Sequence, residues 1–195
     1  MLSKKLTKKT KKLYKSLDSA EKRSLGFVLV GLLLISLVTI HRVYNVKRLS
    51  FNTADEHLII SDNPPPVFME IPKFKVKKNI TPASISNQIW QIDEHNANHL
   101  STSASPGDNG NIVIYGHNSN IVFGPLRWVS VGDEVEITSA DDIKYKYIIS
   151  EIIETDADDI QWVSPKQEEI LTLYTCSGFL NKKRHVVVAR PLGFN

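Results

Sequence analysis

ILTLYTCSGFLNKKRHVVVARP, residues 170–191, consists of two short β-forming runs either side of a turn. Ile170–Thr175 and His185–Ala189 are dominated by β-branched and aromatic residues, and Ser177-Gly178 punctuates the gap between them. Working outward, the same pattern recurs. Asn111–Tyr115, Glu134–Thr138 and Ile143–Ile153 read as further strands, bounded by Pro106-Gly107-Asp108-Asn109-Gly110, Gly132-Asp133 and Asp141-Asp142. Phe68–Val76 alternates apolar with polar residues, and Pro72 marks an edge or a break in it. Ile80–His99 is the one stretch that reads as helical, with Pro82 near its start and Ile85, Ile89 and Ile92 at helical spacing. Many short strands separated by turns predict an all-β fold, a closed barrel or a sandwich, with no internal repeat.

Before this region the chain changes character. Residues 1–24 carry nine Lys/Arg against two acidic residues, a charge of +7 in a chain whose total is +3, so the other 171 residues sum to −4. The basic balance belongs to the tail, which argues against a nucleic-acid-binding domain. Leu25–Ile40 is sixteen residues without a charge, and Val43 and Tyr44 extend it while His41 and Arg42 snorkel. A cleaved signal peptide is the rival reading, but no A-x-A-like site follows, and the lysines before it speak against a buried core helix. The expected organisation is a basic cytoplasmic tail (1–24), a single transmembrane helix (25–44), a Pro-rich stalk (45–66) ending in Asn63-Pro64-Pro65-Pro66, and a domain at 67–195. The excess of Lys/Arg before the span predicts a cytoplasmic N-terminus and an extracellular domain.

The chain has one cysteine, Cys176, so it forms no intrachain disulfide. A lone thiol is a core residue, an intermolecular linker or a nucleophile. Cys176 ends one β run, Tyr115-Gly116-His117-Asn118 ends another, and Lys182-Lys183-Arg184 opens the last. A thiol nucleophile needs a base or cation that favours thiolate, and acyl transfer needs a donor where the oxyanion develops. Cys, His and Arg meet those needs, although each also has an ordinary reading as a core thiol, a strand-end histidine or a solvated charge.

The motifs around these residues bear a resemblance to a known family. GNIVIYGHN (110–118), LTLYTCSG (171–178) and KRHVVVARP (183–191) resemble the His, TLxTC and Arg signatures of sortases, in that family's order, and SASPGDNGNIVIYGHN resembles the approach to its histidine. The resemblance covers about residues 67–192 and extends to the anchor and stalk. It implies a sortase-type closed β-barrel of about eight strands with one or two short helices. It also implies Cys176 as nucleophile, His117 as proton-transfer partner, Arg184 as stabiliser of the oxyanion, and Thr175 as a contributor to the substrate site.

The implied reaction cleaves an LPXTG-like sorting signal through an acyl-enzyme thioester. The protein is then passed to an amine on a cell-wall precursor or a pilin lysine, with no cofactor and no nucleic acid involved. The segment 154–169 corresponds to a loop that helps build the family's sorting-signal groove. Its Asp156, Asp158 and Asp159 read as a solvated acidic loop, and no metal is expected. His185, beside Arg184 on a strand, faces away from it. The short connection from Cys176 to Arg184 favours a housekeeping-like or class D/E-like member. Two other readings are another cell-wall cysteine enzyme, lacking here the SHGC-like pattern or the Cys-before-His order, and a non-catalytic binding domain on the same scaffold.

Overall fold

Burial alternates strictly along Glu134–Ser139, so every second side chain of that strand faces a core and the others face solvent. The computed structural model, which describes residues 18–48, 61–86 and 89–193, closes this pattern into a barrel. Its strands are β1 (Pro66–Ile71), β2 (Val76–Ala83), β5 (Ala97–Leu100), β6 (Asn111–Tyr115), β7 (Glu134–Ser139), β8 (Lys144–Asp156), β9 (Ile170–Ser177) and β10 (Lys183–Pro191). A separate two-stranded piece pairs β3 (Ile85–Ser86) with β4 (Ile89–Trp90). The order around the barrel is β1-β2-β5-β6-β9-β10-β8-β7, with β7 returning to β1. Two pairings, β2 with β5 and β6 with β9, are parallel, and the rest are antiparallel.

The expected strands at 111–115, 134–138, 170–175 and 185–189 fall within β6, β7, β9 and β10, and 143–153 falls within β8 but for Ile143, one residue before it. Pro72 does interrupt the 68–76 run: it starts a 3₁₀ turn, Pro72–Phe74, that ends on Lys75 in the left-handed region. The helical reading of 80–99 is corrected. Its described residues form β2, β3, β4 and β5, because Ile80–Ala83 bonds to β5 and Ile85 and Ile92 pack against Trp90 rather than along one helical face. Among the described residues the barrel domain contains four 3₁₀ turns, at Pro72–Phe74, Gly124–Trp128, Ile160–Trp162 and Phe179–Asn181, and no α-helix.

β6, β9 and β10 are buried on both faces, which is why they read as nearly continuous apolar runs. One face carries Ile112, Ile114, Leu171, Leu173, Val187 and Ala189 into the cluster shared with β7, which fills the barrel. The other face carries Val113, Tyr115, Tyr174, Cys176, Val186 and Val188, covered from outside by Trp90. The Trp90 ring meets Tyr115 and Tyr174 edge-on at 5.1 and 5.8 Å, and those two tyrosines stack on each other at 5.4 Å. Such pairs contribute about 0.5–1.5 kcal/mol each beyond area burial, which helps to fix Trp90 on the outer face.

The helix α1 (Ser19–Arg48) belongs to a separate compact unit of the chain. Asp18 caps it: its Oδ1 accepts from the N–H groups of Ala20 (2.8 Å) and Glu21 (2.7 Å), while Glu21 Oε2 accepts from the Asp18 N–H (2.9 Å). Ser19–Ile40 contains an 18-residue window of mean hydropathy 2.2 and is long and apolar enough to cross a membrane. The Ser36 and Thr39 hydroxyls donate to the Leu32 and Ile35 carbonyls, 2.8 Å each, so neither presents an unmet donor to an apolar surrounding. Most of the expected stalk, 49–60, and most of the basic tail, 1–17, lie outside the described residues. At the stalk's end, Ser61 bonds to Asp108 and Asn63 Nδ2 donates to the Pro106 carbonyl (3.3 Å).

Candidate active site

The parallel register of β6 on β9 brings Tyr115 opposite Tyr174, and the Gly116 N–H continues the ladder by donating to the Tyr174 carbonyl at 3.2 Å. His117 follows two residues after Tyr115, just past the end of β6, and Cys176 two residues after Tyr174, near the end of β9. On the other side of β9, Arg184 of β10 is the direct antiparallel partner of Cys176. Opposed residues have Cβ atoms about 4.5–5.5 Å apart and share a face of the sheet. Three adjacent strands thus deliver His117, Cys176 and Arg184 to one end of the barrel's outer face.

Local sequence explains each placement. After His117 the chain turns back, and the His117 carbonyl accepts from the N–H groups of Ser119 (2.8 Å) and Phe123 (3.0 Å). The returning Val122 and Phe123 pass so close that a Cβ on residue 116 would lie 2.7 Å from Val122 Cγ1, which is why a glycine precedes the histidine. Beyond Cys176, Gly178 turns the chain at φ +70. Arg184, only 1% exposed, is aligned from behind, its Nη1 donating to the carbonyls of Asn181 (3.3 Å) and Lys183 (3.1 Å).

The electrostatics are mixed. Burial lowers the His117 pKa below the usual imidazole value, and the charge of Glu94 partly offsets this. The ring is therefore mostly neutral near pH 7 and able to take a proton. Cys176 is 5% exposed. Tyr174, beneath it, has its phenol pKa pushed well up by burial, with the charges of Arg184 and Cys176 both reaching it. It stays protonated.

Thr175 lies on the opposite face of β9 and is 3% exposed, its Oγ1 donating to the Gly116 carbonyl at 2.7 Å. It supports the residue before His117 from beneath. His185 faces away from Arg184, as its position on the strand implies, and its Nε2–H donates to the Leu126 carbonyl (3.2 Å). In the acidic loop, Asp159 accepts from Thr155 Oγ1 (2.5 Å), Gln161 Nε2 (2.8 Å) and Trp162 Nε1 (3.0 Å), and Asp156 pairs with Lys183 (2.8 Å). Its carboxylates latch the loop to β8 and β10. Under that loop a cleft of about 330 Å³ has Trp162, Ile170 and Val188 among its lining residues, but Ile170 is six residues along β9 from Cys176, roughly 20 Å away. Trp90 packs against Tyr115 and Tyr174 beside the site and carried no signal in the sequence, since it belongs to no motif.

A sortase-domain family model matches residues 69–192, which spans all three motif-bearing strands. The chain belongs to the sortase family. The sortase D5 transpeptidase of Clostridium perfringens is 30% identical over 67% of this chain and 80% of its own, with a TM-score of 0.56. Sortase A of Corynebacterium diphtheriae (22% identity, 82% and 84% covered, TM-score 0.58) and sortase E1 of Streptomyces coelicolor with a tripeptide in its active site (20%, 67% and 89%, TM-score 0.55) share the fold of this sortase. No curated protein matches the chain.

Proposed function

We propose that this sortase is a membrane-anchored cysteine transpeptidase acting on proteins that carry an LPXTG-like C-terminal sorting signal. In the first half-reaction Cys176 passes its proton to His117, and the thiolate attacks the scissile carbonyl. Arg184 holds the developing oxyanion, and the His117 imidazolium protonates the leaving amine, leaving a thioester on Cys176. An amine from a cell-wall precursor or a pilin lysine then attacks the thioester, with His117 accepting its proton. Thr175 serves the substrate site from beneath, through Gly116. The thioester keeps the acyl group activated, so the exchange needs no cofactor.

The observation that carries this reading is the direct opposition of Arg184 and Cys176 on β10 and β9, with His117 just past the end of β6, the parallel neighbour of β9. The apolar helix at Ser19–Ile40 supports a single-pass anchor at 25–44, with the tail at 1–24 in the cytoplasm, a spacer at 45–66 and the catalytic domain at 67–195 outside. The 30% identity to a class D sortase favours a class D/E-like member.

The test is intact-mass analysis of the detergent-solubilised chain mixed with a library of LPXTG-family peptides. The expected result is an acyl adduct on the parent that is absent from Cys176→Ala. No adduct and no cleavage with any peptide, the parent then behaving as the alanine variant does, would sink the proposal.

A further inference from the structure

Trp90 is fully buried on the two-stranded β3–β4 piece outside the barrel, and the reaction as written makes no use of it. Ser84 and Gln91 close that piece at its base: the Gln91 N–H donates to the Ser84 carbonyl (3.0 Å) and the Ser84 hydroxyl to Gln91 Oε1 (3.1 Å). The Gln91 carbonyl accepts from the Tyr115 hydroxyl, so the residue after Trp90 is bonded to the strand beneath. The indole is set across Tyr115 and Tyr174 at 71° and 75°, while those two rings lie within 14° of parallel. One side chain thus bears on two neighbouring strands at once. Tyr115 and Tyr174 are paired in register, and each stands two residues before a member of the catalytic set, His117 after one and Cys176 after the other. On the opposite face the Thr175 hydroxyl donates to the Gly116 carbonyl (2.7 Å), so the same two strand ends are joined from inside as well.

We propose that Trp90 is a positioning residue of this sortase, clamping the ends of β6 and β9 from outside so that the His117 imidazole keeps its place relative to the Cys176 thiol. The inference rests on the assignment of Cys176 and His117 as the thioester-forming pair. Proton transfer between a thiol and an imidazole needs hydrogen-bond reach, and a misplacement of about 1 Å costs up to about 10²-fold in rate. Aromatic contacts are directional, so a ring set across both tyrosines resists sliding or parting of the strands that carry them. Trp90 acts through those tyrosines and takes no part in bond making. Leucine at this position fills part of the volume without a ring, whereas phenylalanine keeps a ring of smaller reach.

The experiment uses the full chain in detergent and compares Trp90→Leu, Trp90→Phe and Ile137→Ala, the last a truncation in the separate cluster that fills the barrel. Assays run well below the lowest Tm of the set. Trp90→Leu should lower kcat for donor-peptide cleavage about 10-fold or more with KM within about 2-fold, and Trp90→Phe should recover part of that loss. The pH midpoint of Cys176 alkylation should move by about half a pH unit or more in Trp90→Leu, because the placement of the imidazole beside the thiol helps to set it. Ile137→Ala should lose Tm while keeping kcat and that midpoint close to the parent's. Should Trp90→Leu not fold, the same readouts on Trp90→Phe decide, with a smaller kcat loss expected at unchanged KM. A parent-like kcat and alkylation profile, a rise in KM with kcat unchanged, or an equal kcat loss in Ile137→Ala would overturn the role of Trp90 and leave the transpeptidase reading standing. Absence of a thioester in the parent chain would overturn both.

Discussion

Gly116→Ala offers a direct reading of how tightly the site is built. The new Cβ would lie 2.7 Å from Val122 Cγ1, 3.3 Å from Phe123 Cγ and 3.4 Å from Phe123 Cδ2. Carbon atoms pack best at about 3.5–4.0 Å, so the first contact is too short by roughly an ångström. Val122 and Phe123 are both 0% exposed and cannot swing out of the way. Overpacking of this kind costs about 1–3 kcal/mol. Gly116 has no positive φ, so alanine also gains about 0.4–1 kcal/mol by restricting the unfolded chain, which opposes the clash. With mid-range values of about 2 and 0.7 kcal/mol the net loss is about 1.3 kcal/mol, or roughly 5 °C in the Tm of the barrel. Turnover should fall more than stability, because the displaced Val122–Phe123 segment is bonded back to the His117 carbonyl. Thermal unfolding and kcat/KM of the variant, compared with Gly116→Ala/Val122→Ala, test this. The second substitution removes the clashing methyl, so the two changes should be less than additive. A Tm within 1 °C of the parent with unchanged turnover would refute the contact argument.

Other expectations concern neighbouring residues. Arg184→Lys should lower kcat by about 10²-fold or more while leaving the fold intact, because an ammonium cannot reproduce the guanidinium fork; full activity would remove Arg184 from the catalytic set. Thr175→Val keeps the shape but deprives the buried Gly116 carbonyl of its hydroxyl donor, which should cost about 1–3 kcal/mol in urea unfolding. Asp93 has its pKa lowered from 3.8, chiefly by the His95 backbone N–H and then by Asn96. Its ionised form therefore favours folding at pH above about 4, and that contribution fades as pH falls through the lower folded value. The stability gap between the parent and Asp93→Asn should accordingly be full near pH 6 and shrink towards pH 3; a gap independent of pH would rule the carboxylate out.

The legibility of this chain follows from what local sequence can encode. β6 and β7 to β10 were readable because β-branched runs ended at Gly, Asp and Pro signals. Their partners were not readable: nothing in NIVIY or ILTLYTCS says that these two strands run parallel, yet that pairing sets the His117 end of β6 beside the Cys176 end of β9. The isoleucines at 85, 89 and 92 mimic one helical face because short apolar segments carry little period, and tertiary contact with Trp90 decided the outcome. Cys176, His117 and Arg184 stood out through motifs. Trp90 did not, since a lone tryptophan in a short apolar segment looks like any core residue until the strands beneath it are known.

The two halves of the catalytic set differ in what holds them. Cys176 and Arg184 lie within paired strands, and β10 is hydrogen-bonded on both sides. His117 lies past the end of β6, on a turn whose returning residues Val122 and Phe123 are themselves part of the barrel core. The thiol and guanidinium are thus carried by a strand ladder, while the imidazole is carried by a turn clamped by its own core packing and by two hydrogen bonds to its carbonyl. A substitution in the core beneath Val122 would therefore reach the imidazole before it reached the thiol.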